Sequence, residues 1–249
     1  MNILSMLIDE AISVIISSIN RYGEPYILFS GGKDSLVTLD LTLKAISPNS
    51  IRGIVYIEIP GNTHPISTKY VKWILREYYK LPSDKLMILR RNDGDFPTLL
   101  RKYGLPTPWS RWCWREFKER VLKRNLNKPW IWVVGVKYGD SPRRRRGPWA
   151  KPIVEYNKEI AIQPIYTWSS EQVWMYIKVR NLPYNPLYDV YGHSGNCMFC
   201  PLRGRSKTTA TAKDPEWGPR IRSWLKYIKS RSKYALGVFR NYGLEGVDK

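Results

Sequence analysis

One short segment of the chain has the residue types of a phosphate-binding loop. It follows the apolar run Tyr26–Phe29 and consists of Ser30, Gly31, Gly32, Lys33, Asp34 and Ser35, here called the glycine loop. Adjacent glycines let the backbone approach an anion closely and adopt positive φ. Free amide groups at the start of a helix attract phosphate, the serines can donate hydrogen bonds, and Lys33 adds positive charge. The segment therefore predicts a phosphate site.

The residues around the glycine loop predict a strand before it and a helix after it. Leu36–Ala45 repeats apolar residues at helical spacing, whereas Tyr26–Phe29 and Ile51–Ile59 are apolar runs typical of buried strands. Further predicted strands are Lys85–Arg90, Trp130–Val136 and Ile160–Ile165. Further predicted helices are Ile66–Lys80 and one that is capped by Ser169 or Ser170 and runs to Val179. This alternation predicts an α/β fold with a mostly parallel twisted sheet and helices on both faces. Ligands of such sheets bind beyond the carboxyl ends of the strands, where the glycine loop lies.

Two regions of different character are expected along the chain. Residues 1–180 are expected to form the nucleotide-binding α/β domain that contains the glycine loop. Residues 181–249 are expected to form a smaller region, packed on the first, that bears a Cys-x-x-C motif and is basic and helical. Within it, Asn181–Arg205 is expected to be irregular, and Pro215–Tyr234 is expected to be a basic helix or helix pair.

The charge of the chain indicates an anionic partner. Its 249 residues include 41 Lys and Arg against 21 Asp and Glu, which gives a net charge of +20. Such an excess favours a polyanion, with RNA or DNA the natural candidate, although basic surfaces also serve small anionic substrates. The 11 Trp and 17 Tyr could stack on bases, and most are expected to be at least half-buried.

The apolar N-terminal stretch predicts a packed helix rather than a membrane span. Ile3–Ile19 is interrupted by Asp9 and Glu10 and is short for a bilayer. An amphipathic helix that packs on the domain is expected, with no membrane association. Three cysteines form no disulfide framework, so reduced thiols and a cytoplasmic location are expected.

The glycine loop departs from the P-loop consensus and resembles the SGGxDS pyrophosphate loop (PP-loop) of the adenine nucleotide alpha hydrolase superfamily. Within that superfamily, the order of further segments resembles the phosphoadenosine phosphosulfate (PAPS) reductase family. These segments are Gly61–Pro65, Gly135–Arg143, Pro164–Trp168, Val173–Ile177 and Leu182–Tyr188. The resemblance implies an adenine nucleotide alpha hydrolase-like fold that binds ATP or a sulfonucleotide and reacts at the α-phosphate.

The resemblance and the residue types together select the nucleotide-site residues. Nucleotide binding is assigned to Ser30, Gly31, Gly32, Lys33, Asp34, Ser35, Gly135, Lys137, Arg143 and Arg145, and catalysis to Lys33, Asp34 and Ser35. The two arginines belong to a run of four, Arg143–Arg146, and arginine can grip a phosphate through two parallel hydrogen bonds. The run could instead contact a nucleic-acid backbone or remain a solvated loop.

The cysteines predict an iron–sulfur cluster by resemblance. The iron–sulfur branch of the family joins a vicinal cysteine pair to a downstream Cys-x-x-C, and here Trp112 stands at the first position of that pair. Cys113, Cys197 and Cys200 would then leave one iron of a [4Fe–4S] cluster without a protein thiolate, as in the iron–sulfur tRNA thiolation enzymes of the superfamily. The alternatives are a structural zinc that also uses His193, and metal-free core cysteines.

The reaction expected from these features is ATP-dependent sulfur transfer. Sulfonucleotide reductases of the family carry a catalytic cysteine near the C-terminus, and no cysteine follows Cys200 in this sequence. We expect ATP with Mg²⁺ to adenylate a nucleic acid such as tRNA, after which sulfur held at the cluster displaces AMP. Alternatives are a PAPS or APS (adenosine 5'-phosphosulfate) reductase and a zinc-containing nucleotide- or nucleic-acid-binding module. The sequence leaves open both the identity of the sulfur donor and whether the protein forms a homodimer.

Overall fold

The computed structural model describes residues 3–146, 150–228 and 233–244. Within them one sheet contains the strands β1 Tyr26–Leu28, β2 Gly53–Glu58, β3 Leu86–Arg90, β4 Trp130–Val134, β5 Ile153–Tyr156 and β6 Glu159–Ile162. Their order is β3-β2-β1-β4-β6-β5. β1 pairs in parallel with β2 and with β4, β4 pairs in parallel with β6, and only the β5–β6 pairing is antiparallel among those recorded. The expected α/β fold with a mostly parallel sheet is confirmed.

Helices connect the strands and follow them. They are α1 Ile3–Tyr22, α2 Lys33–Ala45, α3 Pro65–Trp73, α4 Phe96–Tyr103, α5 Trp112–Trp114, α6 Arg120–Asn125, α7 Pro142–Arg145, α8 Ser170–Val179, α9 Leu187–Tyr191, α10 Arg205–Lys213, α11 Trp217–Leu225 and α12 Lys233–Asn241. A π-helical segment, Ile74–Tyr78, continues α3, and a second one, Arg115–Glu119, joins α5 to α6.

The chain divides into two compact units. Unit 1 comprises Met1–Tyr56, Lys69–Ile88 and Leu126–Asn185, and unit 2 comprises Ile57–Thr68, Leu89–Asn125 and Pro186–Lys249. The last change of unit, after Asn185, falls near the boundary expected after residue 180. Unit 2 nevertheless takes in two earlier segments, so a separate domain made of residues 181–249 stays a prediction.

The core of unit 1 surrounds α2. Every residue from Ser35 to Thr42 is buried, because neighbouring elements cover this helix on all sides. A buried carboxylate in such a helix needs partners. Asp40 has them, since Tyr176 donates to its Oδ2 at 2.6 Å and Tyr79 donates to its Oδ1 at 3.1 Å.

The N-terminal helix α1 contributes to the same core. Leu4, Ala11, Ile15 and Ser18 are buried along one face, which agrees with the expected amphipathic helix. By length and composition alone, α1 would also be long and apolar enough to cross a membrane, a test that soluble core helices pass as well.

Unit 2 has a core built largely from aromatic side chains. The ring of Phe96 stacks on Trp112, with centroids 5.6 Å apart, and meets Phe199 edge-on at 6.0 Å. Trp224 and Phe117 pack around the same ring, at 6.1 Å and 6.0 Å. Burial of several large rings in one cluster stabilises this unit chiefly through the hydrophobic effect.

Several elements differ from those expected from the sequence. β5 was not predicted, and it pairs with β6 through a tight turn in which Asn157 and Lys158 have φ of 48° and 63°. The segment expected to be irregular contains α9, which ends where Gly192 adopts φ of 68°. Pro215–Tyr234, expected to be a helix or a helix pair, contains α11 and the start of α12, while residues 229–232 lie outside the described residues.

Candidate functional site

The glycine loop joins β1 to α2 in unit 1. Gly31 has φ of 71°, in the left-handed region that glycine adopts without strain. Gly32 is the N-cap residue of α2 and, having no side chain, cannot cap the first turn of the helix. A helix that begins without a side-chain cap presents its amide groups and positive dipole end to an anion. The local backbone therefore has the form expected of a phosphate loop.

The two serines brace the loop from inside. Ser35 Oγ donates to the carbonyl oxygen of Gly32 at 2.9 Å and accepts from the amide of Ser30 at 3.2 Å. The hydroxyl oxygens of Ser30 and Ser35 lie 3.1 Å apart. Because these contacts occupy Ser35 within the loop, its first role in this structure is to fix the loop's shape. Donation to a phosphate stays a prediction for both serines.

A network of alternating charges lies beside the loop. Asp34 Oδ1 is 2.8 Å from Lys33 Nζ and 2.5 Å from Lys137 Nζ. Lys137 Nζ also reaches Asp140 Oδ1 at 2.9 Å, and the Asp140 carboxylate accepts from the Lys137 amide at 3.0 Å. The structure thus brings together Lys33, Asp34 and Lys137, which the sequence assigned to one site, and adds Asp140.

The electrostatics of the network distinguish its two lysines. Burial lowers the pKa of Lys33, an effect that neighbouring Asp34 only partly offsets. Burial also acts against the charge of Lys137, but Asp34 and Asp140 outweigh it and raise the pKa of Lys137. Two carboxylates therefore hold Lys137 in place, whereas the charge of Lys33 is favoured less strongly, and phosphate binding by Lys33 stays a prediction.

Gly135, just beyond β4, is a position where no side chain fits. A Cβ atom there would lie 2.7 Å from the carbonyl carbon and oxygen of Asp34 and from the amide nitrogen of Ser35. These are backbone atoms of the first turn of α2, and they cannot move aside as a flexible side chain would. Gly135 therefore lets the segment after β4 pack directly against the glycine loop, a physical reason for the glycine that the family resemblance alone did not supply.

Asn185 is a further residue of this site, and the sequence reasoning gave it no role. Its side chain is buried, and Nδ2 donates to the carbonyl oxygen of Gly31 at 3.3 Å. The only available signal was its position in Leu182–Tyr188, one of the segments that resemble the family. The contact shows that this segment holds the left-handed turn of the glycine loop.

The arginine run contributes one residue to the charge network. Arg144 Nη1 donates to Asp140 Oδ2 at 2.7 Å, and the Arg144 carbonyl accepts from Tyr166 at 2.9 Å. Arg145, which the sequence selected, is exposed and lies 5.9 Å from the ring of Tyr138. The side chain of Arg143 lies outside the described part of the structure. Phosphate contacts by Arg143 and Arg145 stay predictions.

The loop that carries Cys197 and Cys200, here called the CxxC loop, is fastened by Asn62 in unit 2. Asn62 is fully buried, its Nδ2 donates to the Phe199 carbonyl at 2.9 Å, and its Oδ1 accepts from the Phe199 amide at 2.7 Å. The Asn62 carbonyl also accepts from the amide of Met198 at 2.7 Å. The segment Gly61–Pro65, chosen from sequence by resemblance alone, thus positions the CxxC loop.

Arg203 supports the CxxC loop from its other end. Its guanidinium donates to the carbonyl of Cys197 and, at 3.0 Å, to the carbonyl of Met198. Carbonyl groups of an irregular loop need such donors when they are removed from water. Arg203 is therefore a structural residue of the thiol site that the sequence reasoning missed.

The three thiols are free and lie near one another. Burial, and then the negative charges of Cys197 and Cys200, raise the pKa of Cys113 to about 11. Burial likewise raises the pKa of Cys197, while the cations Lys118, Arg203 and Arg111 act in the opposite direction. Burial together with the charges of Cys200 and Cys113 raises the pKa of Tyr234, on α12, to about 12. The thiols assigned to a metal from sequence therefore share one environment.

The zinc alternative is not supported at His193. Its Nδ1 accepts from the amide of Gly195 at 3.0 Å, and its Nε2 lies 2.8 Å from Arg203 Nη1 and 3.2 Å from Thr211 Oγ1. Both ring nitrogens are therefore engaged. Among the residues that the structure describes, no three His, Cys, Asp or Glu side chains converge closely enough to hold a single metal ion.

The three cysteines are the type of donor that an iron–sulfur cluster uses, although they are one fewer than the four irons of a [4Fe–4S] cluster. Zinc draws its ligands around one ion, whereas each thiolate of a four-iron cluster binds a different iron, so the sulfur atoms can lie further apart. Thiolates are the ligands such clusters use, and at Cys197 the cations Lys118, Arg203 and Arg111 partly offset the burial that favours the neutral thiol. Cys113, Cys197 and Cys200 would be its protein ligands.

Comparison with known families identifies the chain. The model of the phosphoadenosine phosphosulfate reductase domain matches residues 24–202. This chain therefore belongs to the phosphoadenosine phosphosulfate reductase family, as the ordered motifs had indicated.

Individual relatives differ in how much of them the chain covers. An adenosine 5'-phosphosulfate reductase from Halalkalibacterium halodurans is 32% identical over 215 residues, covering 77% of this chain and 88% of that protein. An uncharacterized protein of Methanocaldococcus jannaschii is 31% identical over 197 residues, or 77% of this chain, and the chain spans only 39% of its length. The phosphoadenylyl-sulfate reductase of Candida auris, solved as a phosphate complex, matches with a TM-score of 0.50 and 18% identity over 75% of this chain and 89% of its own. That structural likeness supports the adenine nucleotide alpha hydrolase-like fold.

Proposed function

We propose that this protein is an ATP-dependent enzyme that adenylates a nucleic acid such as tRNA and then replaces the activated oxygen with sulfur. The observation that carries the proposal is the set of three neighbouring free thiols, Cys113, Cys197 and Cys200. A [4Fe–4S] cluster on three thiolates would have one iron open to a sulfur donor, which suits sulfur transfer.

The adenylation step uses the glycine loop. The triphosphate lies with its pyrophosphate part on the amides of Gly31–Ser35, where Lys33 exchanges Asp34 for a phosphate oxygen. Lys137 keeps Asp34 in place, so its carboxylate can bind Mg²⁺. An oxygen of the acceptor attacks the α-phosphorus, the bond to the bridging oxygen breaks, and pyrophosphate leaves.

The sulfur step exchanges AMP for sulfur. A hydrosulfide donor forms a bond to the adenylated carbon, the carbon–oxygen bond to AMP breaks, and the donor's proton is released to water. A [4Fe–4S] cluster on Cys113, Cys197 and Cys200 supplies an iron without a protein thiolate, to which such a donor can bind. Free thiols of this kind suit a reducing compartment, so a cytoplasmic location belongs to the proposal.

The proposal is tested on protein purified without oxygen. We expect about four iron atoms and about four acid-labile sulfides per chain, with little zinc. We also expect pyrophosphate release from ATP only when tRNA is present, and we expect AMP and thiolated tRNA only when sulfide is added as well. Pyrophosphate release that depends on neither tRNA nor sulfide, or a zinc-only protein, would contradict it.

A second candidate function is sulfonucleotide reduction. It is favoured by the likeness to the Halalkalibacterium halodurans protein, which is named an adenosine 5'-phosphosulfate reductase and is covered over 88% of its length. A ligand that binds the folded state raises its apparent stability, so melting temperatures separate the two candidates. Stronger stabilisation by adenosine 5'-phosphosulfate than by ATP favours the reductase, and the reverse favours adenylation.

A further inference from the structure

A turn in unit 2 presents an indole to solvent at its tip. The amide of Thr107 donates to the Ser110 carbonyl at 3.1 Å, and the amide of Ser110 donates to Thr107 Oγ1 at 2.9 Å. Trp109 lies between them and is 88% exposed. Exposure of so large an apolar ring costs solvation free energy, which a stacking partner would recover.

The short helix α5 that follows carries a second partly exposed tryptophan beside a buried one. Trp112 is buried, stacks on Phe96 and donates from Nε1 to the carbonyl of Gly104 at 3.0 Å. Trp114, two residues further on, is 45% exposed. The buried Trp112 thus fixes a short backbone frame, from which Trp109 and Trp114 face solvent.

Cations surround this frame. Arg111 is exposed at the start of α5, and the adjoining helical segment carries a surface groove of about 490 Å³ lined by Arg115, Glu119, Arg120, Lys123 and Arg124. Buried Glu116 engages Arg120 at 2.7 Å and Arg91 at 2.6 Å. Arg124 is 66% exposed and reaches Asp93 only at 4.0 Å, so it can exchange that partner for a phosphate.

The charge of the two units points the same way. Unit 2 contains 22 Lys and Arg against 10 Asp and Glu, a net charge of +12 (22 minus 10) in the smaller part of the chain. Unit 1 contains 19 against 11, a net charge of +8 (19 minus 11). Unit 2 therefore carries more net positive charge than unit 1 although it has fewer residues.

We propose that Trp109, Arg111, Trp114 and the groove from Arg115 to Arg124, together called the indole–arginine surface, bind unpaired RNA. Unpaired bases stack on the two indoles, and phosphates lie against the arginines. Unpaired bases can be splayed onto aromatic rings, whereas paired bases of an RNA duplex remain stacked in the helix. The inference rests on the proposed function in choosing RNA as the acceptor, and it adds where that RNA docks.

The first test measures binding of fluorescein-labelled single-stranded RNA of about 12 nucleotides and of bulk tRNA to the full chain by fluorescence anisotropy. Loss of stacking on one aromatic ring corresponds to about 1–3 kcal/mol, or about 5- to 150-fold in Kd. We expect W114A to weaken binding by about fivefold or more and W109A/W114A to weaken it further. The matched control W73A removes an equally exposed indole, 45%, from unit 1 and leaves Kd unchanged.

The second test concerns the arginines. R111A/R124A removes two cations of the surface, and K72A/R76A removes two exposed cations of unit 1. For single strands, each phosphate contact contributes about 0.7 to the slope of log Kd against log salt, so the first variant should lower that slope by about 1.4. The control variant should leave it unchanged.

Circular dichroism and ATP-induced thermal stabilisation of each variant separate this inference from the proposed function. Normal folding and ATP stabilisation with weakened RNA binding support the surface. Wild-type RNA affinity in W109A/W114A and R111A/R124A overturns it, as does equal affinity for duplex RNA or for single-stranded DNA of the same sequence. If the wild-type protein did not bind ATP, the adenylation proposal would be refuted, while the RNA-binding measurement would remain interpretable.

Discussion

The glycine loop of unit 1 and the CxxC loop of unit 2 are stabilised over very different distances along the chain. The bonds inside the glycine loop join Ser35 to residues three and five positions away. The CxxC loop is fastened to Asn62, which lies 137 positions before Phe199. One loop therefore takes its shape from its own short sequence, and the other takes it from a distant segment.

This difference teaches where each site is vulnerable. A loop with internal bonds fails when a neighbouring element intrudes on it, because its own contacts survive most distant substitutions. A loop that depends on one buried amide fails when that amide is removed, since the backbone groups it satisfied stay buried. The two kinds of damage have different sizes and different measurable consequences.

The largest effect is expected for Asn62→Ala. The amide and carbonyl of Phe199 would lose their partner inside unit 2, and each unsatisfied buried group costs about 1–3 kcal/mol. We expect the free energy of unfolding to fall by about 2–5 kcal/mol and the iron content to fall with it. Asn125→Ala, which removes an amide that donates to the Val121 carbonyl on a helix surface, is the control and should lose well under half as much. An N62A protein with normal iron content and stability would show that the CxxC loop does not need this amide.

The second largest effect is expected for Gly135→Ala, which adds a side chain that presses against the glycine loop. The added methyl group would press on the backbone of Asp34 and Ser35 at 2.7 Å. Overpacking of this kind costs about 1–3 kcal/mol and displaces the first turn of α2. We expect ATP affinity to fall at least about tenfold by isothermal titration, with iron content unchanged. Gly139→Ala, where a Cβ meets no atom within 4 Å, should retain wild-type affinity.

The same contrast explains how far the sequence could predict each site. Gly31, Gly32 and Lys33 were recognisable because their contacts are local and their types unusual. Lys137 and Gly135 came only through resemblance, since nothing in a linear pattern shows which strand end will touch α2. Asn62, Asn185 and Arg203 act through hydrogen bonds to backbone groups of other segments, which leave no periodic signal. β5 was missed for a similar reason, because its turn uses Asn157 and Lys158 rather than a glycine.

A smaller effect is expected for Lys137→Met, which alters the charges around an intact loop. Asp34 would then lose Lys137 and pair more strongly with Lys33, which would be less available to phosphate. One hydrogen bond to a charged group is worth about 1.5–3 kcal/mol, but Lys137 acts on the nucleotide only through Asp34 and Lys33, so ATP affinity should fall by less than about tenfold. Lys137→Arg should recover most of it, and Lys72→Met, an exposed control, should change nothing. Equal loss in the Arg variant would mean that the shape of the lysine matters rather than its charge.

The smallest expected effect concerns how the stability that each unit contributes depends on pH. Glu116 in unit 2 is buried, which raises its pKa, but hydrogen bonds from Arg91 and Arg120 prevail and lower it. A carboxylate with a depressed pKa contributes stability above its ordinary value and loses that contribution as the pH falls through the folded value. Lys137, whose pKa is raised, behaves oppositely, since its contribution is present at neutral pH and disappears above about pH 10.4.

Glu116→Gln should therefore flatten the decline of stability between about pH 5 and pH 3, and Lys137→Met should flatten the decline above about pH 10. At neutral pH the cost of Glu116→Gln should be about 1 kcal/mol, because two of its three arginine partners are about half exposed and screened by water. Urea titrations from acidic to basic pH measure the decline of the free energy of unfolding at each end, here called the acid limb and the basic limb. Glu119→Gln, which alters an exposed pair with Lys123, is the matched control and should keep the wild-type acid limb. If Glu116→Gln kept that limb as well, the acid sensitivity of the protein would lie outside this arginine cluster, and Asp140, whose pKa is lowered despite burial by Lys137 and Arg144, would be the next carboxylate to replace.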